Sequence, residues 1–291
     1  MRLITVEKQT GAKRLHRKYT ILNGDEFEFS CEHIVFGNTV EFEAKLEDEF
    51  KLEVEEFKNE QRDRQAKEAR KANIVTIREI EAEQGTKEWL SSRIGIITAS
   101  KTPFDSKGKQ IPTYNAYVNE KVAEAFMKRN GGEPAEKYTN EAMQIGTDLE
   151  HYAIERYEEV SKNKVEQRSL LVADNLMLGA SPDGVVIDDK GQVVFNVEVK
   201  SVLLKTYIGE IVSQTVTKRY NTQVQVQMYM LGCDETHLVV QCQEVSGQPL
   251  DIIISIIERD EEFISNMIET IKMYEYDFDM RYARLETMVI K

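Results

Sequence analysis

Two carboxylates and a lysine lie close together in one stretch of the sequence, GASPDGVVIDDKGQVVFNVEVKS, which covers residues 179–201. Asp183 directly precedes the apolar segment GVVI. Glu198 and Lys200 are two residues apart near the end of the whole stretch. Carboxylate oxygens are ligands that hard divalent cations prefer, and a lysine beside them can hold or help to deprotonate a water that attacks phosphorus. The alternative is a turn aspartate and an exposed ion pair of little energetic value, since short patterns of this kind also occur by chance.

A β-hairpin would bring these three side chains together. Residues 188–191, DDKG, have the composition of a tight turn between two β-branched segments. Side chains alternate along a strand, so Glu198 and Lys200 should share one face with Asn196, and the valines between them should face the other way. The hairpin would also return Asp183 to a position beside Glu198.

A helix upstream of the hairpin carries a third acid. Residues 140–161 have the periodicity of an amphipathic helix, in which Glu150 follows Gly146 by one turn. A glycine there lets another backbone come close while the carboxylate points into a cleft. The alternative is one more acid on a solvated face.

A second helix, predicted over residues 221–232, is rich in glutamine. Gln225 and Tyr229 share one of its faces, and Gln223 and Gln227 share another. Glutamines on a buried helix need hydrogen-bond partners, which a substrate phosphate or base edge could provide.

Arg93 and Ser100 lie in the segment EWLSSRIGIITAS at residues 88–100, which also holds the single tryptophan. A guanidinium and a hydroxyl can bind a phosphate together. The alternative is a surface arginine and a helix-capping serine.

Composition sets limits on the class of protein. The 291 residues carry a net charge of −13, which argues against a surface coated with basic residues for nucleic acid but permits a basic channel. No apolar run approaches the length of a membrane helix. The three cysteines are too scattered for a disulfide framework or a four-thiolate iron–sulfur site, and they fit a reducing cytoplasm.

The first 75 residues differ from the rest. Asn23-Gly24 and Gly37-Asn38 predict turns of a small antiparallel meander, and residues 61–71 predict an exposed connecting helix. The sequence therefore predicts a small β-rich domain over residues 1–75 and a larger domain over residues 76–291. The small domain would be either a docking module or a structural appendage.

Five motifs in this order resemble the lambda exonuclease, or YqaJ, family of viral recombination nucleases in the PD-(D/E)xK superfamily. The motifs are QGTKEWLSSRIGIITAS, the IGTDLE that ends at Glu150, SPDG at 181–184, EVK at 198–200 and TQVQ at 222–225. The resemblance covers roughly residues 83–271 and leaves out the N-terminal domain.

The resemblance implies three sets of site residues, of which the first two overlap. The implied metal ligands are Asp183, Glu198, Glu150 and the carbonyl of Val199. The implied catalytic residues are Glu150, Asp183, Glu198, Lys200 and Gln225. The implied ligands of a 5′-terminal phosphate are Arg93, Ser100 and Ser181.

The resemblance also implies a fold and an activity. The fold would be α/β (α+β), a restriction-endonuclease-like core with a mixed central sheet flanked by helices. The activity would be Mg²⁺-dependent digestion of linear double-stranded DNA from the 5′ end to mononucleotides, with Mn²⁺ able to substitute, leaving a 3′ tail for strand annealing. The family further implies a homo-oligomeric ring, with a trimer favoured, a single-strand annealing protein as partner and a bacterial cytoplasm. Rival hypotheses are a restriction-type endonuclease and a non-catalytic DNA-end-binding protein.

Overall fold

The computed structural model describes residues 75–132, 141–244 and 252–289, and the backbone of three strands between residues 5 and 33; residues 141–148 and 289 are described as backbone only. The chain divides into two compact units, Met1–Glu68 and Ala69–Lys291. The predicted turns at Asn23-Gly24 and Gly37-Asn38 and the predicted connecting helix lie outside the described residues. The domain border near residue 75 therefore stays a prediction.

The N-terminal unit contains a three-stranded antiparallel sheet. Its strands are β1 (Thr5–Gln9), β2 (Ala12–Thr20) and β3 (Glu26–His33), in the order β1-β2-β3. The segment EFEFSCEH of β3 alternates apolar and polar residues with the period of two that a strand with one covered face requires. The β-rich character predicted for this unit is confirmed.

The larger unit contains two four-stranded mixed sheets. The first has the order β4-β6-β7-β5, in which β7 and β5 are parallel and the other pairs antiparallel. Its strands are β4 (Ile77–Ile80), β5 (Ile97–Thr98), β6 (Leu170–Ala173) and β7 (Leu178–Ala180). Helix α1 (Lys87–Ser92) begins after Thr86, whose hydroxyl accepts a hydrogen bond from the Trp89 N–H, and the indole packs against β6.

The second sheet has the order β11-β10-β9-β8. Its strands are β8 (Gly184–Ile187), β9 (Val193–Val202), β10 (Glu235–Cys242) and β11 (Ile252–Glu258). Strands β8 and β9 form the predicted hairpin, with Gly191 at a φ of 76° in the turn. Strand β10 pairs in parallel with β9 and antiparallel with β11.

The α+β class with mixed sheets and flanking helices is confirmed, but the central sheet is divided in two. The division falls at Ser181-Pro182-Asp183, between β7 and β8. Pro182 has no N–H to donate, so a continuous ladder of hydrogen bonds cannot run through this segment. The segment 181–183, called here the linking bend, carries two of the predicted site residues.

Helices cover both faces of the second sheet. On one face lies α3 (Glu141–Ser161), whose Tyr157 packs in a cluster with Val197 and Val199 of β9. On the other lie α4 (Leu204–Ser213) and α5 (Thr215–Leu231), whose Val224 and Met228 pack with β10. Helices α2 (Tyr114–Arg129) and α6 (Glu261–Val289) share the largest apolar cluster with the first sheet.

Helix α5 begins six residues before the predicted start at Asn221, and α4 was not predicted. The buried carboxylate of Glu210 accepts hydrogen bonds from the backbone N–H groups of Val216 (2.5 Å) and Thr217 (2.9 Å). This acid satisfies donors that the first turn of a helix leaves without intrahelical partners, so the polar segment TVTKRY can be helical. The earlier start places Tyr220 on α5.

Candidate active site

Strand β9 sorts its side chains to two faces as its sequence predicts. Val197 and Val199 are buried in the cluster with α3. Glu198 points to the opposite face, where it meets α5, and it has no exposed surface. A carboxylate buried this deeply needs hydrogen bonds or opposite charge, because desolvation is costly for an ion.

Asp183 lies beside Glu198 as the hairpin register requires. Gly184 pairs with Val197 in antiparallel register, so Asp183, one residue earlier, comes opposite Glu198, one residue later. The Oδ2 atom of Asp183 accepts a hydrogen bond of 2.7 Å from the Val199 N–H. Two acids from the two sides of one hairpin therefore meet at one point of the sheet.

Lys200 provides a positive charge beside Glu198. Its Nζ donates a short hydrogen bond to Oε1 of Glu198 and lies 4.9 Å from the centroid of the Tyr220 ring. Burial alone would lower the pKa of Lys200, but the carboxylates of Glu198 and Asp183 outweigh it and raise the pKa above its usual value. The lysine is therefore a cation at neutral pH.

Glu150 of α3 belongs to the same electrostatic cluster. Burial and then the charge of Glu198 raise its pKa, against a smaller opposite effect from Lys200. Burial and the charge of Glu198 also raise the pKa of Asp183 well above its usual range. Ionisation of all three carboxylates would place more negative charge here than Lys200 balances, and a bound cation would relieve that excess.

Two glutamines of α5 complete the hydrogen bonding of Glu198. Gln223 donates through Nε2 to Oε1 at 2.5 Å, and Gln227 donates through Nε2 to Oε2 at 2.6 Å. The sequence predicts that these two glutamines share a face, and the structure shows that their partner is a protein carboxylate. Tyr220 lies one turn before Gln223, and it was missed because the helix was predicted to begin later.

The structure does not bring Gln225 to this cluster. Its Nε2 donates to the Glu258 carbonyl at 2.7 Å, and its Oε1 accepts from the Asp260 N–H at 2.8 Å. These contacts fasten α5 to the segment that joins β11 to α6. The catalytic role that the resemblance assigns to Gln225 remains a prediction without a contact to the carboxylates.

Arg93 and Ser100 are brought together near the linking bend. Arg93 donates through Nη2 to the Ser100 hydroxyl at 3.3 Å, and its guanidinium lies 4.0 Å from the centroid of the Trp89 ring. Thr98 of β5 pairs with Gly179 of β7 in parallel, so Ser100 and Ser181 each follow that pair by two residues. The Oγ of Ser181 is buried and has no protein hydrogen-bond partner.

The family can be assigned from this range of the chain. A model of the YqaJ-like viral recombinase domain matches residues 88–234, half of the chain. The chain belongs to this family. The matched range of the YqaJ-like domain runs from α1 to the end of α5, and it includes every predicted site residue. The recognition made from the five motifs is confirmed.

Solved structures show a similar fold. The alkaline exonuclease LHK-Exo from Laribacter hongkongensis, in complex with dAMP, matches with a TM-score of 0.60 and 24% identity, over 70% of this chain and 98% of that one. Another LHK-Exo structure gives the same values. A phage-related exonuclease from Haemophilus somnus 129PT matches over 61% of this chain and 86% of that one, with 18% identity and a TM-score of 0.47. No curated protein sequence matches the chain.

The carboxylate cluster, formed by Asp183, Glu198 and Glu150, provides the type of ligand atom that a divalent cation prefers. Within the described ranges, no group of three or more Asp, Glu, His or Cys side chains is arranged so that it could hold a metal ion. The donors nevertheless suit a hard cation, because Asp183, Glu198 and Glu150 offer oxygen ligands. Burial, and then the negative charge of Glu198, raise the pKa values of Asp183 and Glu150. Val199 lies between Glu198 and Lys200 on β9, and the ligand role of its carbonyl stays a prediction.

None of the helices in the described part of the chain is long and apolar enough to cross a membrane.

Proposed function

We propose that this YqaJ-like chain is a divalent-metal-dependent DNA exonuclease that digests linear double-stranded DNA in the 5′→3′ direction. The products would be 5′ mononucleotides and a 3′ single-stranded tail for recombination by strand annealing. The proposal is supported by family membership, by the likeness in fold to an alkaline exonuclease, and by the chemistry of the carboxylate cluster.

The linking bend is the observation that carries this proposal. Ser181 lies on the side of Arg93 and Ser100, and Asp183, two residues later, lies on the side of Glu198. A site for a terminal phosphate would therefore adjoin the hydrolytic site. That arrangement suits removal of one terminal nucleotide at a time.

The roles proposed here are those that the family resemblance implies, and the contacts of Asp183, Glu198, Lys200 and Arg93 support them. Asp183, Glu198 and Glu150, with the carbonyl of Val199, would hold the cation, which when bound supplies charge neutralisation and a more acidic water. Lys200 would place its ammonium beside that water and the negatively charged phosphate. Arg93, Ser100 and Ser181 would bind the 5′-phosphate and fix the register of the strand. We propose Mg²⁺ as the cofactor, with Mn²⁺ able to substitute.

The activity is tested on DNA that has ends and on DNA that has none. With Mg²⁺, linear duplex labelled at either 5′ or 3′ termini should lose its 5′ label first and as mononucleotide, because the phosphate site selects the 5′ end. Covalently closed circular duplex should persist. A reaction with EDTA provides the metal-free control.

Two other results would each identify a rival. Rapid cutting of closed circles would assign the carboxylate cluster to an endonuclease. End binding without any release of nucleotides would assign the chain to the non-catalytic class.

Arg93→Ala should reduce the preference for 5′-phosphorylated over 5′-hydroxyl ends. A charge-assisted hydrogen bond to phosphate contributes about 1.5–3 kcal/mol, which is roughly ten- to a hundredfold. The measurement is the ratio of kcat/KM for the two kinds of end. Arg156→Ala, which removes an arginine paired with Glu159 on α3, is the control, and an unchanged ratio in the Arg93 variant would return Arg93 to a structural role.

Gln223→Met should lower turnover more than Gln225→Met does. Gln223 contacts Glu198, whereas Gln225 contacts backbone groups of Glu258 and Asp260. The two variants remove the same amide group at positions two residues apart on α5, so they are chemically matched. Their kcat values are compared after thermal unfolding has shown that the two variants are equally stable. A greater loss in the Gln225 variant would support the role that the family resemblance assigns to it.

The assembly and partners extend the proposal. A closed ring around DNA, with a trimer favoured, would make digestion processive by topology, so the net charge of −13 would not prevent function. A single-strand annealing protein would take up the 3′ tail, and the reaction would occur in the cytoplasm of a bacterial host. The N-terminal unit would serve either as a docking module or as a structural appendage.

A further inference from the structure

We propose that Gln227 and Asn196 are positioning residues that tether Oε2 of Glu198 and leave Oε1 as the oxygen that Glu198 offers to a cation. This inference rests on the metal dependence of the proposed function. It concerns two fully buried side chains that the family resemblance does not place in the site, and it gives Gln227 a protein partner in place of the substrate group that the sequence suggests.

The tether, as we call it, is the chain of hydrogen bonds that runs from Glu198 through Gln227 and Asn196 to Thr236. Gln227 donates through Nε2 to Oε2 of Glu198 at 2.6 Å and to the Ser181 carbonyl at 3.5 Å. Asn196 donates through Nδ2 to Oε1 of Gln227 at 3.0 Å and to the Thr236 hydroxyl at 3.1 Å. Gln227, Asn196 and Thr236 all have no exposed surface.

The direction of these bonds follows from the charge of Glu198. An ionised carboxylate only accepts hydrogen bonds, so the amide of Gln227 must turn its NH₂ group toward Glu198. The amide oxygen of Gln227 then faces Asn196, so the Asn196 side chain must donate to it through its NH₂ group. Thr236 is the parallel-strand partner of Asn196, so the rigid sheet anchors the far end of the chain.

The two oxygens of Glu198 have different surroundings as a result. Oε2 is held from the buried side by Gln227, a residue without exposed surface. Oε1 accepts from Lys200 and Gln223, which belong to the part-buried side of the cluster. A hydrogen bond to Oε2 restricts rotation of the Glu198 carboxylate and so fixes the direction of Oε1. Hydrogen-bond partners outside the ligand shell orient metal ligands in this way.

The same contact with Ser181 ties the tether to the linking bend. Gln227 therefore touches both the carboxylate cluster and the segment that leads to the proposed phosphate site. Loss of Gln227 should loosen Glu198 relative to Asp183 without removing any proposed ligand.

A direct measurement of metal binding tests the tether. In full-length protein, Gln227→Met should weaken Mn²⁺ binding, measured by isothermal titration calorimetry and by Mn²⁺ electron paramagnetic resonance, by about ten- to a hundredfold. Asn196→Leu and then Thr236→Val should give the same effect in decreasing size, because each acts through the next residue. The double variant Gln227→Met/Asn196→Leu should bind Mn²⁺ no more weakly than Gln227→Met alone.

The matched control is Gln241→Met. Gln241 is also a fully buried glutamine, but it accepts its described hydrogen bond from the Ser201 hydroxyl and makes none to a carboxylate. Its variant should lower thermal stability and bind Mn²⁺ as the wild type does. Thr236→Val, which keeps the shape of the side chain, keeps the test valid should Gln227→Met fail to fold.

The outcomes separate this inference from the proposed function. Wild-type and tether variants that bind Mn²⁺ equally, with stability lowered as in Gln241→Met, would show that Gln227 and Asn196 serve only the core. A wild-type chain that binds no Mn²⁺ would overturn the proposed metal dependence and this inference together. Weaker binding in the Gln227, Asn196 and Thr236 series alone supports the tether.

Discussion

Lys200→Met should reduce hydrolysis of DNA by at least about a hundredfold, the lower part of the range for a group that assists proton transfer in the transition state. Methionine keeps the length of the aliphatic stem and removes the ammonium that lies beside Glu198 and over the Tyr220 ring. The expected loss is in kcat, measured as release of mononucleotides from linear duplex DNA in the presence of Mg²⁺.

Metal binding separates this effect from loss of the site. Lys200 competes with a cation for Oε1 of Glu198, so the variant should bind Mn²⁺ at least as tightly as the wild type. Lys121→Met is the matched control, because Lys121 is another buried lysine in an ion pair, with Glu124 on α2. Near wild-type turnover in the Lys200 variant would disprove the catalytic assignment of this lysine.

The core of the site could be predicted because its geometry is local in sequence. Period-two alternation assigns Glu198 and Lys200 to one face of β9, and the turn at 188–191 fixes how the hairpin closes. Asp188 accepts hydrogen bonds through Oδ1 from the N–H groups of Lys190 and Gln192, both at 2.8 Å, which is the turn chemistry that its residue type predicts. Once the hairpin is fixed, Asp183 must lie beside Glu198.

Helical periodicity alone could not predict which glutamines of α5 contact Glu198. Residues two apart on a helix face nearly opposite directions, so the sequence predicts two glutamine faces on α5 and cannot rank them. The choice is made by packing, because Val224 and Met228 of α5 meet β10 in one buried cluster and Gln223 and Gln227 then fall over Glu198. Gln225 is left facing the turn before α6.

The first sheet of the larger unit escaped prediction because it is built from distant segments. Strand β4 pairs with β6, which lies some ninety residues later, and the two-residue β5 pairs with β7 across a similar gap. Strands this short carry little pattern of their own, and distant pairing leaves no local signal. The division of the second sheet from the first does have a local cause, the proline in the linking bend.

Asp183→Asn should weaken divalent-metal binding by at least about a hundredfold, since changes to residues that only support metal ligands already cost ten- to a hundredfold. DNA hydrolysis should fall with the metal occupancy. Asparagine can still accept the hydrogen bond from the Val199 N–H, so the loss reports the missing charge. Asp188→Asn in the turn of the same hairpin is the control, and it should bind Mn²⁺ as the wild type does.

The metal-free stability of Asp183→Asn should change in the opposite direction. Burial and the charge of Glu198 raise the pKa of Asp183 above its value in the unfolded chain, so the folded state binds its proton more tightly and loses stability as pH rises through that pKa. At neutral pH in EDTA this raised pKa of Asp183 therefore opposes folding, and asparagine, which neither binds nor releases a proton, removes that cost. Thermal unfolding should show the variant at least as stable as the wild type in EDTA and less stable in saturating Mn²⁺. A variant that is less stable in both conditions would mean that Asp183 supports the hairpin itself, and its assignment as a metal ligand would lose this support.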